Sequence, residues 1–221
     1  MRFVLISELS YVIYNDKINK LKFSFLSRHP LKRHNGQGDL HFITFSCYQR
    51  KPLLGTPETR DTFVEILDEV RCRHAFALFG YVVMPEHVHL VVSEPEKKTP
   101  SKALQVLKQN VAKSLLTVTQ RPAFFAFSSP SEDARTDQHF WHRRFYDFNV
   151  WSEQKLHEKL NYIHANPVVR KLVSHPKDWP WISWTHYAIG QEGRIKIDSI
   201  SLERRYQDES EAGIKRQNPH P

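Results

Sequence analysis

The chain has 221 residues, enough for one domain of ordinary size with a sizeable core and extensions. Lys and Arg number 32 against 24 Asp and Glu, and the resulting formal charge of +8 favours a polyanionic partner, nucleic acid ahead of a membrane surface. Cys47 and Cys72 form no C-x-x-C pair and imply no disulfide framework, which points to a reducing, cytoplasmic setting; the longest apolar run, AFALFGYVVMP, is far short of the roughly 20 residues that span a bilayer.

Residues 1–30 read as a loosely ordered N-terminal extension, and the start MRFVLISELS, with its apolar patch broken by Glu8, is a poor signal peptide. Pro30, Gly36 and Gly38 break any regular element before DLHFITFSCYQR, whose alternation predicts a first strand over about 40–48. A helix follows, with Thr56 as cap, Pro57 at the first position and Phe63, Ile66, Leu67 and Val70 at helical spacing. FALFGYVVM and HVHLVVSE are two strand-like runs joined by a short turn. A second helix starts at Pro100 and carries apolar Leu104, Leu107, Val111 and Leu115. RPAFFAFSSPSEDARTD reads as a polar linker and mobile loop, and HFWHRRFYDFNV as a fourth strand.

Ser152 caps a third helix, expected to stop at Asn166 because a residue before proline disfavours helical geometry. The Trp-rich HPKDWPWISWTHY is expected as a loop over the sheet or the last helix, and residues 191–221 as a polar tail. The order β-α-β-β-α-β plus a helix is an α+β, ferredoxin-like arrangement with an antiparallel sheet and a C-terminal tyrosine-bearing helix.

The informative stretch is GYVVMPEHVHLVVSEP. Strand alternation turns His87 and His89 to one side, with Val88 and Leu90 on the other. Such a pair makes either a polar patch or half of a metal site, and 13 histidines would place about one H-x-H by chance. Tyr162 and Asn166 are four residues apart and share a helical face, about 6 Å apart along the axis. Two readings stand. His87, His89 and Asn166 hold a divalent ion while Tyr162 attacks an electrophile, or Tyr162 packs on the sheet and Asn166 caps the helix.

VVMPEHVHLVV followed by LNYIHANPVVRKLV resembles the single-tyrosine HUH transposases, and within them the REP-associated tyrosine transposases, relatives of the small insertion-sequence transposases. The likeness runs over roughly residues 30–187 and includes GQGDLHFITFSCYQRKPLL, FWHRRFYDFNV and DWPWISW. It implies a catalytic domain over 31–190, a metal pair at His87 and His89, a nucleophile at Tyr162 and a completing metal ligand at Asn166. Asparagine there resembles the REP-associated branch, where mobile-element enzymes often have glutamine.

The resemblance further implies Mg²⁺ or Mn²⁺ as cofactor and single-stranded or hairpin DNA as partner, cleaved through a 5′-phosphotyrosine and a free 3′-OH. A free tyrosine has a pKa near 10, so only about 0.1% is phenolate at neutral pH and removal of the proton needs help. Two imidazoles and an amide oxygen leave open positions for DNA oxygens, as a catalytic ion needs. Strand alternation turns Glu86 away from the pair, which leaves it out of the direct ligands.

The expected DNA-binding residues are Arg143 and Arg144 in the fourth strand, Lys102, Lys108 and Lys113 on the second helix, and Lys32 and Arg33 before the first strand; each lysine is equally readable as solvated surface. Aromatics in HFWHRRFYDF could stack on bases or pack in the core. Two rivals share the fold: a catalytically silent DNA-binding protein, and a phosphodiesterase using the two histidines as acid and base with water as nucleophile. The sequence does not choose between a monomer and a homodimer. It predicts a cytoplasmic protein, associated with the nucleoid through DNA, with no membrane partner.

Overall fold

The computed structural model describes residues 39–119 and 139–199. The N-terminal extension, Lys32 and Arg33, the polar linker and the chain past 199 lie outside the described residues. In chain order the elements are β1 (Leu40–Ser46), α1 (Pro57–His74), β2 (Leu78–Val83), β3 (His87–Ser93), α2 (Pro100–Thr119), β4 (Tyr146–Val150), α3 (Glu153–Val169) and α4 (Trp184–Ile189), with single 3-10 turns at Tyr48–Arg50 and Pro176–Asp178. The strands form one antiparallel sheet ordered β2-β3-β1-β4, which is the ferredoxin-like arrangement expected.

β3 is apolar and rich in valine except for its two histidines and the terminal Ser93, and every residue in it is buried. Its register with β1 pairs Phe45 with Val88, Ile43 with Leu90 and His41 with Val92, and these residues share one face. α1 and α2 cover that face: Phe63 lies 6.1 Å from Phe45, and Ala103, Leu104 and Leu107 meet Ile43, Leu90 and Val92. The opposite face carries Phe42, Thr44, His87, His89 and Val91, and α3 packs there.

α1 begins as its sequence requires. The Thr56 hydroxyl accepts the Thr59 N–H at 3.3 Å, the Thr59 hydroxyl accepts the Thr56 N–H at 3.3 Å, and Pro57 opens the first turn. Ser152 caps α3 by accepting the Lys155 N–H at 3.2 Å.

Several boundaries differ from the sequence reading. β1 ends at Ser46, because the chain turns into Tyr48–Arg50 with Gln49 and Arg50 at positive φ. Helix α3 does not stop before Pro167 but runs to Val169. Proline removes only the bond to the Ile163 carbonyl, while the Arg170 N–H still reaches the Asn166 carbonyl at 3.0 Å and both Asn166 and Pro167 are buried. β4 starts only at Tyr146; before it, Trp141 makes a lone bridge with Cys47. Arg143 and Arg144 therefore precede the strand and are exposed.

The Trp-rich segment lies along the outer edge of β2 and, as expected, against α3, where His164 Nε2 is 3.0 Å from Ser183 Oγ. Val83 N–H donates to the Trp181 carbonyl and Ser183 N–H to the Tyr81 carbonyl, both at 3.0 Å. An open strand edge demands such cover. The cover continues into the segment read as tail: Ile195 and Ile197 are buried, and the Asp198 N–H bonds the Leu78 carbonyl at 2.9 Å.

Candidate active site

The histidines sit at the start of a central strand, where the backbone leaves them little freedom. Their ring centroids are 4.7 Å apart with planes at 80°. His89 Nδ1 is 2.7 Å from the Thr44 hydroxyl, its cross-strand partner on β1, and its ring stacks on Phe42 at 5.5 Å. His89 Nε2 is buried without a hydrogen-bond partner, as is His87 Nδ1. Burial, then the neighbouring His87, holds His89 well below the usual histidine range, so its imidazole is neutral and keeps a lone pair.

Helix α3 delivers the tyrosine to this face. The Tyr162 ring lies 5.1 Å from His89 and 6.0 Å from Phe42, edge-on to both. Burial raises its phenol pKa, while a hydrogen bond from the Asn166 side chain and the charges of Arg50 and Arg170 oppose the rise. Asn166, one turn on, is itself buried. His87, His89, Tyr162 and Asn166 thus share one face of the sheet of one chain.

Among the described residues no three His, Cys, Asp or Glu side chains cluster as metal ligands. The donor set on offer is two imidazoles and an amide. The unsatisfied Nε2 of a neutral, Thr44-oriented His89 is the observation that fits a divalent ion, since an orphaned buried nitrogen otherwise costs roughly 1–3 kcal/mol.

Arg170, Lys159 and Arg50 escaped the sequence reading, and the direction expected for Glu86 is corrected. Glu86 precedes the first paired residue of β3, where strand alternation no longer governs direction, so it is not turned away. Its Oε1 lies 3.3 Å from His87 Nδ1, a close approach without hydrogen-bond alignment. The His87 contact, opposed by burial and aided by Arg170, lowers the Glu86 carboxyl pKa. Arg170 pairs with the same carboxylate oxygen. Lys159 is buried with its ammonium 4.5 Å over the Phe148 ring and 5.3 Å over that of Phe42. Lys159, Tyr162, Asn166 and Arg170 follow helical spacing, and that stripe was the available signal. Arg50 had none, because it sits in a left-handed turn.

The α2 lysines singled out from sequence lie elsewhere, while Lys32 and Arg33 fall outside the described residues. α2 is on the far face of the sheet, so Lys102, Lys108 and Lys113 are not brought to the Tyr162 pocket. Lys102 and Lys113 are exposed, and Lys108 donates to the His142 carbonyl at 2.8 Å. The charges near the pocket are Arg50, Lys159 and Arg170.

An antiparallel ferredoxin-like sheet with paired histidines facing a helix-borne tyrosine defines a class. Residues 36–166 match the family model described as Transposase IS200 like, and the chain belongs to that family of DNA-cleaving enzymes. It is similar to a Haemophilus influenzae protein provisionally assigned as a REP-associated tyrosine transposase, 26% identical over 157 residues, which cover 67% of this chain and 81% of that protein. A solved structure of a REP-associated tyrosine transposase bound to a REP hairpin has the same fold, with a TM-score of 0.57 at 18% identity over 78% of this chain and 95% of that one. No helix among the described residues is long and apolar enough to cross a membrane.

Proposed function

We propose that this transposase cleaves and rejoins single-stranded DNA at hairpin-forming repeats, with Tyr162 as nucleophile and His87, His89 and Asn166 as the holders of Mg²⁺ or Mn²⁺. The observation that carries the reading is the meeting of Tyr162 with the histidine pair on one sheet face. When bound, the ion would supply charge stabilisation at the non-bridging phosphate oxygens.

The chain's own groups do the rest. Tyr162 Oη bonds to phosphorus as the bond to the 3′ oxygen breaks; the phenol gives up its proton and the departing oxygen gains one as a free 3′-OH. The resulting 5′-phosphotyrosine keeps the ester bond, so attack by a 3′-OH reverses the step without ATP. The Asn166 amide and the charges of Arg50 and Arg170 favour the phenolate against the burial that opposes it. Arg170 follows Tyr162 on the helix and is exposed enough to receive a backbone phosphate, while Lys159 is buried over Phe42 and Phe148 and adds positive charge beneath the site.

The rival in which two histidines shuttle protons to water is disfavoured by His89, buried, neutral and bonded to Thr44. The packing of α3 on its own chain's sheet supports a site built within one monomer, with a homodimer exchanging that helix as the alternative. The catalytic domain takes in residues 31–190 together with the Ile195–Asp198 edge, and acts in the cytoplasm where its DNA is. Tyr162→Phe is expected to abolish cleavage of a hairpin-flanked single strand while keeping binding within a few-fold. Excess EDTA, His87→Ala or His89→Ala should each remove cleavage, and Asn166→Ala should weaken it; a Tyr162→Phe enzyme that still cuts would refute the reading.

A further inference from the structure

We infer that Glu86, held by Arg170, is a positioning residue that sets the orientation of His87 and locks the tyrosine helix in register with the histidine pair. The inference rests on the reading of His87 as a metal ligand.

Glu86 is 8% exposed, and a carboxylate so buried is unfavourable unless it is paired. Its Oε1 faces two partners at once, the Arg170 guanidinium and His87 Nδ1. The direction of this side chain is built into the turn. Cys47 N–H bonds the Glu86 carbonyl, Leu54 N–H the Pro85 carbonyl and Met84 N–H the His87 carbonyl, each at 2.9 Å. The 47–54 segment therefore backs the turn from outside and aims the carboxylate inward.

The chemistry follows from having one oxygen between a cation and an imidazole. A carboxylate against Nδ1 favours the tautomer with the proton there, which leaves the Nε2 lone pair for a ligand. His89 is prepared by the same logic with a different partner, since Thr44 occupies its Nδ1. Each imidazole thus has Nδ1 facing an outer oxygen, bonded to Thr44 in His89 and 3.3 Å from the Glu86 carboxylate in His87. Arg170 adds a second consequence. It lies one turn beyond Asn166, and its N–H bonds the Asn166 carbonyl. The Arg170–Glu86 pair therefore ties the end of α3 to the turn that opens β3, across the pocket that Tyr162 enters.

Full-length protein tests this with two readouts that need no turnover. Ring ¹H–¹⁵N spectra of the metal-free, histidine-labelled protein report the His87 tautomer, and Mn²⁺ titration followed by electron paramagnetic resonance reports affinity. The expected result is an Nδ1-protonated His87 in the wild type, lost in Glu86→Ala, with Mn²⁺ binding about 10–100-fold weaker. Glu86→Gln, which can still accept the proton but not pair fully with Arg170, should fall between, and it serves as the probe if Glu86→Ala does not fold. Arg170→Gln should weaken Mn²⁺ binding several-fold in the absence of DNA. Wild-type Mn²⁺ affinity and tautomer in both Glu86 variants would overturn the inference alone, leaving the metal reading intact. An Arg170→Gln protein altered only in DNA affinity would overturn the locking role. Absence of saturable Mn²⁺ binding by the wild type would overturn the metal reading and this inference together.

Discussion

Gly80 of β2 and Leu160 of α3 meet so closely that a Cβ at position 80 would lie 2.5 Å from Leu160 Cδ2. The seat of the tyrosine helix on the sheet depends on that missing methyl, since Leu160 precedes Tyr162 by two residues and Ile163 Cδ1 would stand 3.7 Å away. Gly80→Ala forces Leu160 to turn within a packed core, at a cost of about 1–3 kcal/mol. That corresponds to a fall in Tm of about 2–4 °C per kcal/mol for a chain of this size. Adding Leu160→Val should recover part of the loss. An unchanged Tm for Gly80→Ala would contradict the packing described.

The Thr44 hydroxyl anchors His89 Nδ1 at 2.7 Å. Thr44→Val keeps the shape of the side chain and removes the bond. Cleavage should drop about 10–100-fold with the fold intact, as for other outer groups that orient a ligand. Full activity in Thr44→Val would show that the pocket walls alone hold the imidazole.

The sequence made most of this architecture readable, and physical reasons separate what it did not. The alternation in HFITFS and HVHLVV and the Thr56-Pro57 start encode the sheet and α1 locally. The tyrosine and histidine motifs are likewise local patterns, and the fold brings them together as alternation and helical spacing require. The extent of α3 was misread because a rule about proline, a bias of the isolated chain, gave way to the burial of Asn166 and Pro167. Arg50 was illegible, and the contacts of Glu86 and the β2-edge pairing of Trp181–Ser183 were not foreseen, because these roles arise from contacts between distant segments. The position of the α2 lysines relative to the site was open in the sequence for a simpler reason: amphipathicity shows which side of a helix is polar, never which face of the sheet that helix covers.

On the face away from the site, His41 is fully buried between Asp147, at 2.8 Å, and Glu94, at 3.4 Å. Burial alone would depress its pKa, but the hydrogen bond and charge of Asp147, followed by Glu94, outweigh it and raise the value. A raised histidine adds stability that is fully present below the unfolded value of about 6.5 and is lost as pH climbs through the folded one. Urea midpoints of the wild type should accordingly fall as pH rises above about 6.5, by at most about 1.4 kcal/mol per pH unit from this group. His41→Leu should flatten that trend. A wild-type decline that persists unaltered in His41→Leu would place its origin elsewhere.

DNA affinity should weaken with salt. For five phosphate contacts, log affinity against log salt has a slope of about −3.5 on single strands. The geometry also predicts which charges count: Arg50→Ala should make the slope shallower by about 0.7, whereas Lys102→Ala, on the far face, should leave it unchanged. Equal effects from both substitutions would contradict the location of the DNA path on the Tyr162 side.

The central claim is that the Tyr162 oxygen itself becomes bonded to DNA. The most direct measurement incubates the full-length protein and Mn²⁺ with a hairpin-bearing single strand from the flanks of its own gene. Denaturation and proteolysis follow, and the DNA-linked peptide is sequenced by mass spectrometry. The account predicts an adduct carried by the peptide containing Tyr162, joined to a 5′ phosphate, with a free 3′-OH on the released strand and no adduct in Tyr162→Phe. Cleaved DNA with no protein attached, or an adduct on any other residue, would contradict it.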